Sequence, residues 1–249
     1  MEREEYRRMA ELEAAMWWYR ALHAHLASHL AGLDLPPDAR VLDAGCGTGG
    51  LLYYLRDALP RLTLEGVEYD PEAAALAREK SGRPVTVGSV NALPFAPSSL
   101  VGPGFDVIVS ADVLCHAGVQ PEAALAEFFR CLKPGGWLLL NLPAYGWMAS
   151  AHDRHVHNVR RYTAGGAAAD VAAAGFAPVR AGYWNSLLFP LMLLHRLTSG
   201  AKQSSDVQAY PPWLDRSLFA VTALERWLHG KNIQLPFGGS VWILARKPL

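Results

Sequence analysis

Residues 41–50, Val41-Leu42-Asp43-Ala44-Gly45-Cys46-Gly47-Thr48-Gly49-Gly50, decide how this chain is read. Val41 and Leu42 open a short buried strand, the glycines form a turn, and Leu51-Leu52-Tyr53-Tyr54-Leu55 begins a helix. Glycine adopts backbone angles that a Cβ forbids and lets a ligand approach the main chain closely. The helix that follows aims unpaired N–H groups and its positive dipole end into the turn. A nucleotide-like ligand belongs there.

Two ligands fit the spacing. Gly45, Gly47 and Gly50 satisfy the dinucleotide pattern G-x-G-x-x-G, and Glu68 lies 23 residues past Gly45, where a ribose-binding acid belongs. Gly45, Gly47 and Gly49, with Asp43 two places earlier, also satisfy the nucleoside-binding turn of S-adenosylmethionine (SAM) methyltransferases. Asp43 separates the two. A carboxylate beneath a pyrophosphate is repelled, whereas the ammonium at the aminoacyl end of SAM is attracted to it.

Working outward, strands and helices alternate. Residues 62–68 (LTLEGVE) read as a second strand ending in Glu68, and Tyr69-Asp70-Pro71 starts a helix with proline in its first turn. Two carboxylate oxygens at that strand end suit the two hydroxyls of a ribose. Tyr69 is placed to lie against an adenine face. A third strand runs near residues 85–87, and Ser89, Val90 and Asn91 follow it on the rim, where they can meet the adenine edge. A fourth strand, 105–109, leads into Ser110, Ala111 and on to His116. A helix over 121–132, a tight turn at Lys133-Pro134-Gly135-Gly136 and a strand over 137–141 complete five alternations. That pattern predicts an α/β fold, a doubly wound, mostly parallel sheet covered by helices on both faces.

Composition narrows the partners. The 249 residues are 51% hydrophobic with a formal net charge of zero, so a full core is affordable and there is no electrostatic case for nucleic acid. Cys46, Cys115 and Cys131 lack metal or CxxC spacing and read as reduced thiols, with Cys46 a small residue that fits the turn. The start Met1-Glu2-Arg3-Glu4-Glu5 is charged, unlike a signal peptide, and no 18-residue apolar run is present. The expectation is a cytoplasmic protein without a transmembrane segment, monomeric or homodimeric, with peripheral membrane contact left open.

The flanks carry the acceptor chemistry. Residues 3–31 read as helical and contain Met16-Trp17-Trp18-Tyr19-Arg20. Neighbouring helical side chains diverge by about 100°, so these aromatics cannot share one face. Either two pack and one is a surface anchor, or Trp17, Trp18, Tyr19 and Arg20 form a lid over cofactor or substrate. Past the fifth strand lies residues 152–163, HDRHVHNVRRYT. One reading makes His155 or His157 a general base or acceptor orienter, with Arg161 gripping an anionic or carbonyl group and Tyr162 hydrogen-bonding it. The other is a polar loop with Arg160 or Arg161 in a structural ion pair. His116 is an alternative base. His152, His155 and His157 lack the paired carboxylate helix of a zinc protease, so no metal is expected.

The chain resembles class I SAM-dependent methyltransferases of the broad small-molecule group. The resemblance rests on VLDAGCGTGG, GVEYDPEAAALA, NALPFAPSSL leading to FDVIVSADVLCH, and FRCLKPGGWLLL, over about residues 37–143. It implies a seven-stranded sheet whose last strand is antiparallel, with strands six and seven at 178–184 and 240–246. It implies SAM held by Asp43, Gly45, Cys46 and Gly47 at the aminoacyl end, in the turn that includes Gly49. Glu68 would take the ribose, Ser89 and Val90 the adenine, and the backbone at Ser110 or Ala111 would flank the methionine moiety. One departure is Ser89, where the family usually carries an acid. In similar methyltransferases an H-x-x-R-R-Y-T loop borders the acceptor pocket.

The expected organisation is a single domain, 1–249, with an N-terminal helical lid (1–34), a core (35–184 and 238–249) and a helical insertion (185–237). Pro190 should kink or break the insertion's first helix, and residues 199–206 form a link. The insertion caps the acceptor pocket, forms a dimer interface or rests on a membrane surface. Aromatic side chains including Tyr183 and Trp184 point to a hydrophobic or aromatic small-molecule acceptor. Two rival functions are an NAD-dependent oxidoreductase and a non-catalytic binding or scaffold protein.

Overall fold

Apolar runs bounded by glycine and proline become strands, and the computed structural model joins seven of them in one sheet. It describes residues 10–13, 15–98, 104–149, 153, 157–198 and 210–249. The strands are β1 (Arg40–Ala44), β2 (Thr63–Glu68), β3 (Val85–Val87), β4 (Phe105–Ala111), β5 (Leu132–Pro143), β6 (Ala177–Trp184) and β7 (Ser240–Arg246), in the order β3-β2-β1-β4-β5-β7-β6. All neighbouring pairs are parallel except those of β7, which runs antiparallel to both β5 and β6. The reversal of strand order falls between β1 and β4, and ligands bind outside the carboxyl ends at such a point.

Two apolar layers bury the sheet. On one face α1 (Trp17–Ala31), α2 (Gly50–Ala58) and α3 (Pro71–Ser81) pack through residues such as Leu26, Leu30, Leu52, Leu55 and Ala77 against Val41, Val109 and Leu139. On the other, α4 (Pro121–Cys131) and α5 (Ala164–Ala173) pack Leu125, Phe128, Ala167 and Val171 against Leu42, Ile108 and Leu140. Burial on both faces explains why β1, β4 and β5 read as continuous apolar runs. The caps are local. Asp70 Oδ1 accepts from Glu72 N (2.9 Å) and Ala73 N (3.0 Å), and Thr163 Oγ1 accepts from Gly166 N (3.1 Å).

Three expectations change. The three consecutive aromatics of α1 all pack, because α1 lies between the sheet and α7 (Pro212–Gly230) and is covered on more than one side. Trp17 is buried, Trp18 stacks on Trp184 with ring centroids 5.2 Å apart, and Tyr19 is half-buried. Asp215 of α7 ties the helix down, accepting from Trp17 N (2.6 Å) and Arg20 Nη1 (3.1 Å). Strand β5 begins five residues earlier than expected, at Leu132. Gly135, at φ +76°, pairs within it by donating to Lys247 O (3.0 Å). Pro190 does not kink α6 (Phe189–Thr198), because it is the helix's second residue, where no intrahelical N–H is needed. The link at 199–206 lies outside the described residues. Among the described residues no helix is long and apolar enough to cross a membrane.

Candidate cofactor and acceptor site

The glycine turn is held from both neighbouring strands. Gly45 N and Cys46 N both donate to Val67 O of β2, at 2.9 and 3.0 Å. Gly45 sits at φ +83°, and a Cβ there would come 2.5 Å from Val113 Cγ2, just past β4. Gly49, at φ +86°, starts α2, and a Cβ would meet Ala77 Cα of α3 at 2.8 Å. Both positions therefore need glycine on two counts, backbone angle and space. Glu68 fixes the turn from below. Its Oε2 accepts from Gly47 N (2.9 Å) and its Oε1 from Asp70 N (3.0 Å).

Asp43 is buried at the end of β1, and its Oδ2 has no hydrogen-bond partner among the described residues. Burial, then the negative charges of Glu68 and Glu13, raise its pKa to about 8. An unpartnered buried carboxylate oxygen costs free energy unless a cation or donor arrives. That fits the ammonium end of SAM and opposes a pyrophosphate. Cys46 points away from the rim, with its Sγ against Gly66 of β2, and burial pushes its thiol up. It is a packing residue with no thiolate character.

Glu13 escaped the sequence reading. It accepts from Thr48 Oγ1 (2.7 Å), from Lys80 Nζ and from the backbone of Gly50, and so covers the start of α2. Its partners lie 35 and 67 residues away, and no spacing rule announces them.

The other half of the rim is built by a polar chain that runs from the core out to half-buried Asp112. Trp184 Nε1 donates to Asn141 Oδ1 (2.5 Å), and Asn141 Nδ2 donates to Asp112 Oδ1 (3.0 Å). An indole only donates, so it fixes which end of the Asn141 amide faces Asp112. Asp112 directly follows β4 and adopts φ +55°, and burial raises its carboxyl to about 7. Sequence reasoning passed over it, although an acid ending an apolar strand was a visible signal. Tyr145, at φ +54° just past β5, stacks between Trp147 (5.3 Å) and Tyr183 (5.2 Å) and touches Phe189 (5.7 Å).

Several sequence-predicted residues are engaged elsewhere. Trp184 is 2% exposed and sandwiched between Trp18 and His25, so its ring cannot face a ligand. Trp17 is likewise core rather than pocket wall. Arg161 does not grip an acceptor, because it forms a buried bidentate pair with Asp153 (2.8 and 3.0 Å) and donates to Ala144 O (2.8 Å). Tyr162 donates its hydroxyl to Leu114 O (3.0 Å). Arg20 is paired with Asp215 and lies over the Phe219 ring at 4.1 Å. Asn91 spends its side chain on Gly118 O and Gln120 N, both 2.9 Å away, rather than on an adenine edge. Ser110 Oγ donates to Ala44 O (2.8 Å) and braces β4 against β1.

Others stay on the rim. Tyr69 is exposed, Val90 is buried beside Ser89, and Ser89 Oγ accepts from Asn91 N (3.2 Å). Ala111 closes β4, half-buried. His116 is half-buried, and its carbonyl accepts from Arg160 Nη1 (2.9 Å). His157 is exposed at φ +56°. His155 and His152 lie outside the described residues. Among the described residues no group of three His, Cys, Asp or Glu could hold a metal ion.

A β3-β2-β1-β4-β5-β7-β6 sheet with a glycine turn at its switch point is the Rossmann-like arrangement that the resemblance to class I SAM-dependent methyltransferases implies. Comparison agrees: residues 42–140 match the family described as a methyltransferase domain, so this stretch of the chain is similar to methyltransferases. It is 34% identical over 112 residues to trans-aconitate 2-methyltransferase of Mycobacterium sp. (strain KMS), covering 45% of this chain and 40% of that protein. It is 29% identical over 151 residues to 24-methylenesterol C-methyltransferase 2 of Arabidopsis thaliana, covering 56% of this chain and 38% of that protein. The chain thus spans about two fifths of the length of these relatives. A solved chain from the complex between the Haloferax volcanii Trm112 methyltransferase activator and a methyltransferase shares the fold across 100% of both chains, with a TM-score of 0.65 and 20% identity.

Proposed function

We propose that this protein transfers the methyl group of SAM to an O, N or C atom of a small, largely apolar or aromatic molecule. The carrying observation is Asp43 Oδ2, a buried carboxylate oxygen that lacks a partner among the described residues, beside a turn that demands glycine. Asp43 receives the cationic aminoacyl end, Glu68 the ribose diol, and Ser89 with Val90 the adenine edge. When bound, SAM supplies an activated methyl group on a sulfonium. The protein's own work is then to align the acceptor and exclude water. The acceptor side is faced by Asp112, His116, Tyr145 and Tyr183, and the aromatic pair supports a flat or apolar acceptor.

The organisation we propose is one domain in which α1 and the 185–237 insertion form a cap. The contacts of Asp215 with α1, and of Glu225 with Ser186 N (2.9 Å), support it. Three free, buried cysteines suit a reducing cytoplasm.

Thermal unfolding with S-adenosylhomocysteine and, separately, NADH tests the reading. S-adenosylhomocysteine at a hundred times its Kd should stabilise by about 2.7 kcal/mol and NADH should do nothing. A shift with NADH alone, or with neither, overturns it.

A further inference from the structure

Three features meet at Asp112. It is a non-glycine residue in the left-handed region, at φ +55°, a conformation that costs energy and clusters at functional sites. Its neighbour Val113 packs onto Gly45 so closely that a Cβ there would be 2.5 Å away, which sets Asp112 one residue from the cofactor turn. Its Oδ1 is held by Asn141, whose amide is in turn fixed by Trp184, while Oδ2 has no hydrogen-bond donor among the described residues. A carboxylate with one oxygen clamped and the other open is oriented for a purpose.

We propose that Asp112 takes a proton from the acceptor during methyl transfer, so that the acceptor is a protic nucleophile bearing O–H or N–H. The inference rests on the methyltransferase reading above. The acceptor's O–H or N–H bond breaks, and its proton goes to Asp112 Oδ2 and from there to water. The pair left on the heteroatom forms the bond to the methyl carbon as the carbon–sulfur pair returns to sulfur.

The surroundings agree. Burial raises the Asp112 carboxyl to about 7, against the Asn141 hydrogen bond and the Arg161 charge, which both lower it. Asp153 largely cancels that charge by pairing with Arg161. A general base works best with its pKa near the operating pH. A carboxylate acceptor is disfavoured, since it would enter beside Asp43, Glu68 and Asp112. An alkene carbon has no proton to give up before attack.

The test uses the full chain labelled with [γ-13C]aspartate and saturated with S-adenosylhomocysteine, together with Asp112→Asn. Asparagine tolerates the left-handed conformation, so the variant should fold. Pairing with the ligand's ammonium should move Asp43 to acid pH. One carboxyl resonance should then titrate near neutrality and be absent from Asp112→Asn, whose S-adenosylhomocysteine affinity stays within about threefold. Methyl transfer from radiolabelled SAM to catechol or tyramine should fall about 10²–10⁴-fold in the variant, and trans-cinnamate should not be methylated. A wild-type protein that binds S-adenosylhomocysteine but shows no neutral-range carboxyl overturns the inference alone. So does methylation of cinnamate, or of catechol equally by both proteins. Failure to bind S-adenosylhomocysteine overturns the methyltransferase reading as well.

Discussion

At the β1–β2 end of the sheet, Gly47 and the Glu68 that holds it are 21 residues apart. At the β5–β7 end, Trp184 and Asn141 are 43 apart, and Trp17 and Asp215 are 198 apart. One half is assembled from a strand, a turn and the next strand, and backbone N–H groups do much of the holding. The other is assembled from side chains that meet only after the chain has folded. In the first arrangement, Asp43 can change without removing a hydrogen bond from the core, since its Oδ2 has no partner among the described residues. The second makes most of its aromatic and charged residues structural.

The sharpest way to break this contrast is Trp184→Ala. It empties a fully enclosed indole site and strips Asn141 Oδ1 of its donor, so it should destabilise by about 3–5 kcal/mol in urea unfolding. S-adenosylhomocysteine affinity of the folded fraction should change little. A large affinity loss with intact stability would return Trp184 to the ligand pocket.

Asp43→Asn should do the reverse. It should weaken S-adenosylhomocysteine binding about 100-fold by calorimetry, near 2.8 kcal/mol, without lowering the stability of the free protein at pH 7. The pH dependence has a definite sign. The Asp43 pKa of about 8 must fall when it meets a cation, so wild-type affinity should strengthen from pH 6 to 8 and the variant's should not. A flat wild-type profile would remove Asp43 from the cofactor site.

Histidines probe the packed half. His23, at about 3, His29, at about 4, and His25 are all held below 6.5, chiefly by burial. Around His25 stand His29 and Trp184, with His229 and Arg226 from α7, while Lys80 faces His23. A depressed pKa gives stability that is complete above pH 6.5 and lost as pH falls toward 4. At pH 5.5 the loss should be about 1 kcal/mol per imidazole. Asp43 and Asp112, with raised values, act in the opposite direction, so Asp112→Asn saturated with S-adenosylhomocysteine shows the histidine loss most cleanly. Unchanged stability at pH 5.5 would mean that the α1–α7 packing opens to water.

The sequence made the first half legible because the chemistry there is spaced along the chain. Asp43, the glycines and Glu68 occupy successive strand ends, and five strand–helix alternations predict the sheet that lines them up. The second half was legible only as a composition of aromatic, histidine and arginine residues. Whether Arg161 faces a ligand or Asp153, and whether Trp18 is a lid or a stacking partner of Trp184, depends on which elements become neighbours. No spacing encodes that. Glu13 was hidden for the same reason; Asp112 carries a local signal as an acid ending an apolar strand, but its clamp by Asn141, 29 residues on, has none.

The smallest effect should come from Tyr162→Phe. The hydroxyl donates to Leu114 O, linking the loop after β5 to the loop after β4, and burial pushes its pKa up to about 12. So high a value rules out a phenolate at neutral pH. The ring stays packed when the oxygen is removed, and the lost bond is one neutral hydrogen bond of about 1 kcal/mol. Turnover at saturating SAM should remain within about twofold of wild type once the folded fraction is matched, since 1 kcal/mol of ground-state stability is not 1 kcal/mol of barrier. A tenfold fall in kcat at unchanged Tm would mean that the hydroxyl leaves Leu114 for the acceptor. The loop over residues 157–163 would then join the chemistry rather than brace it.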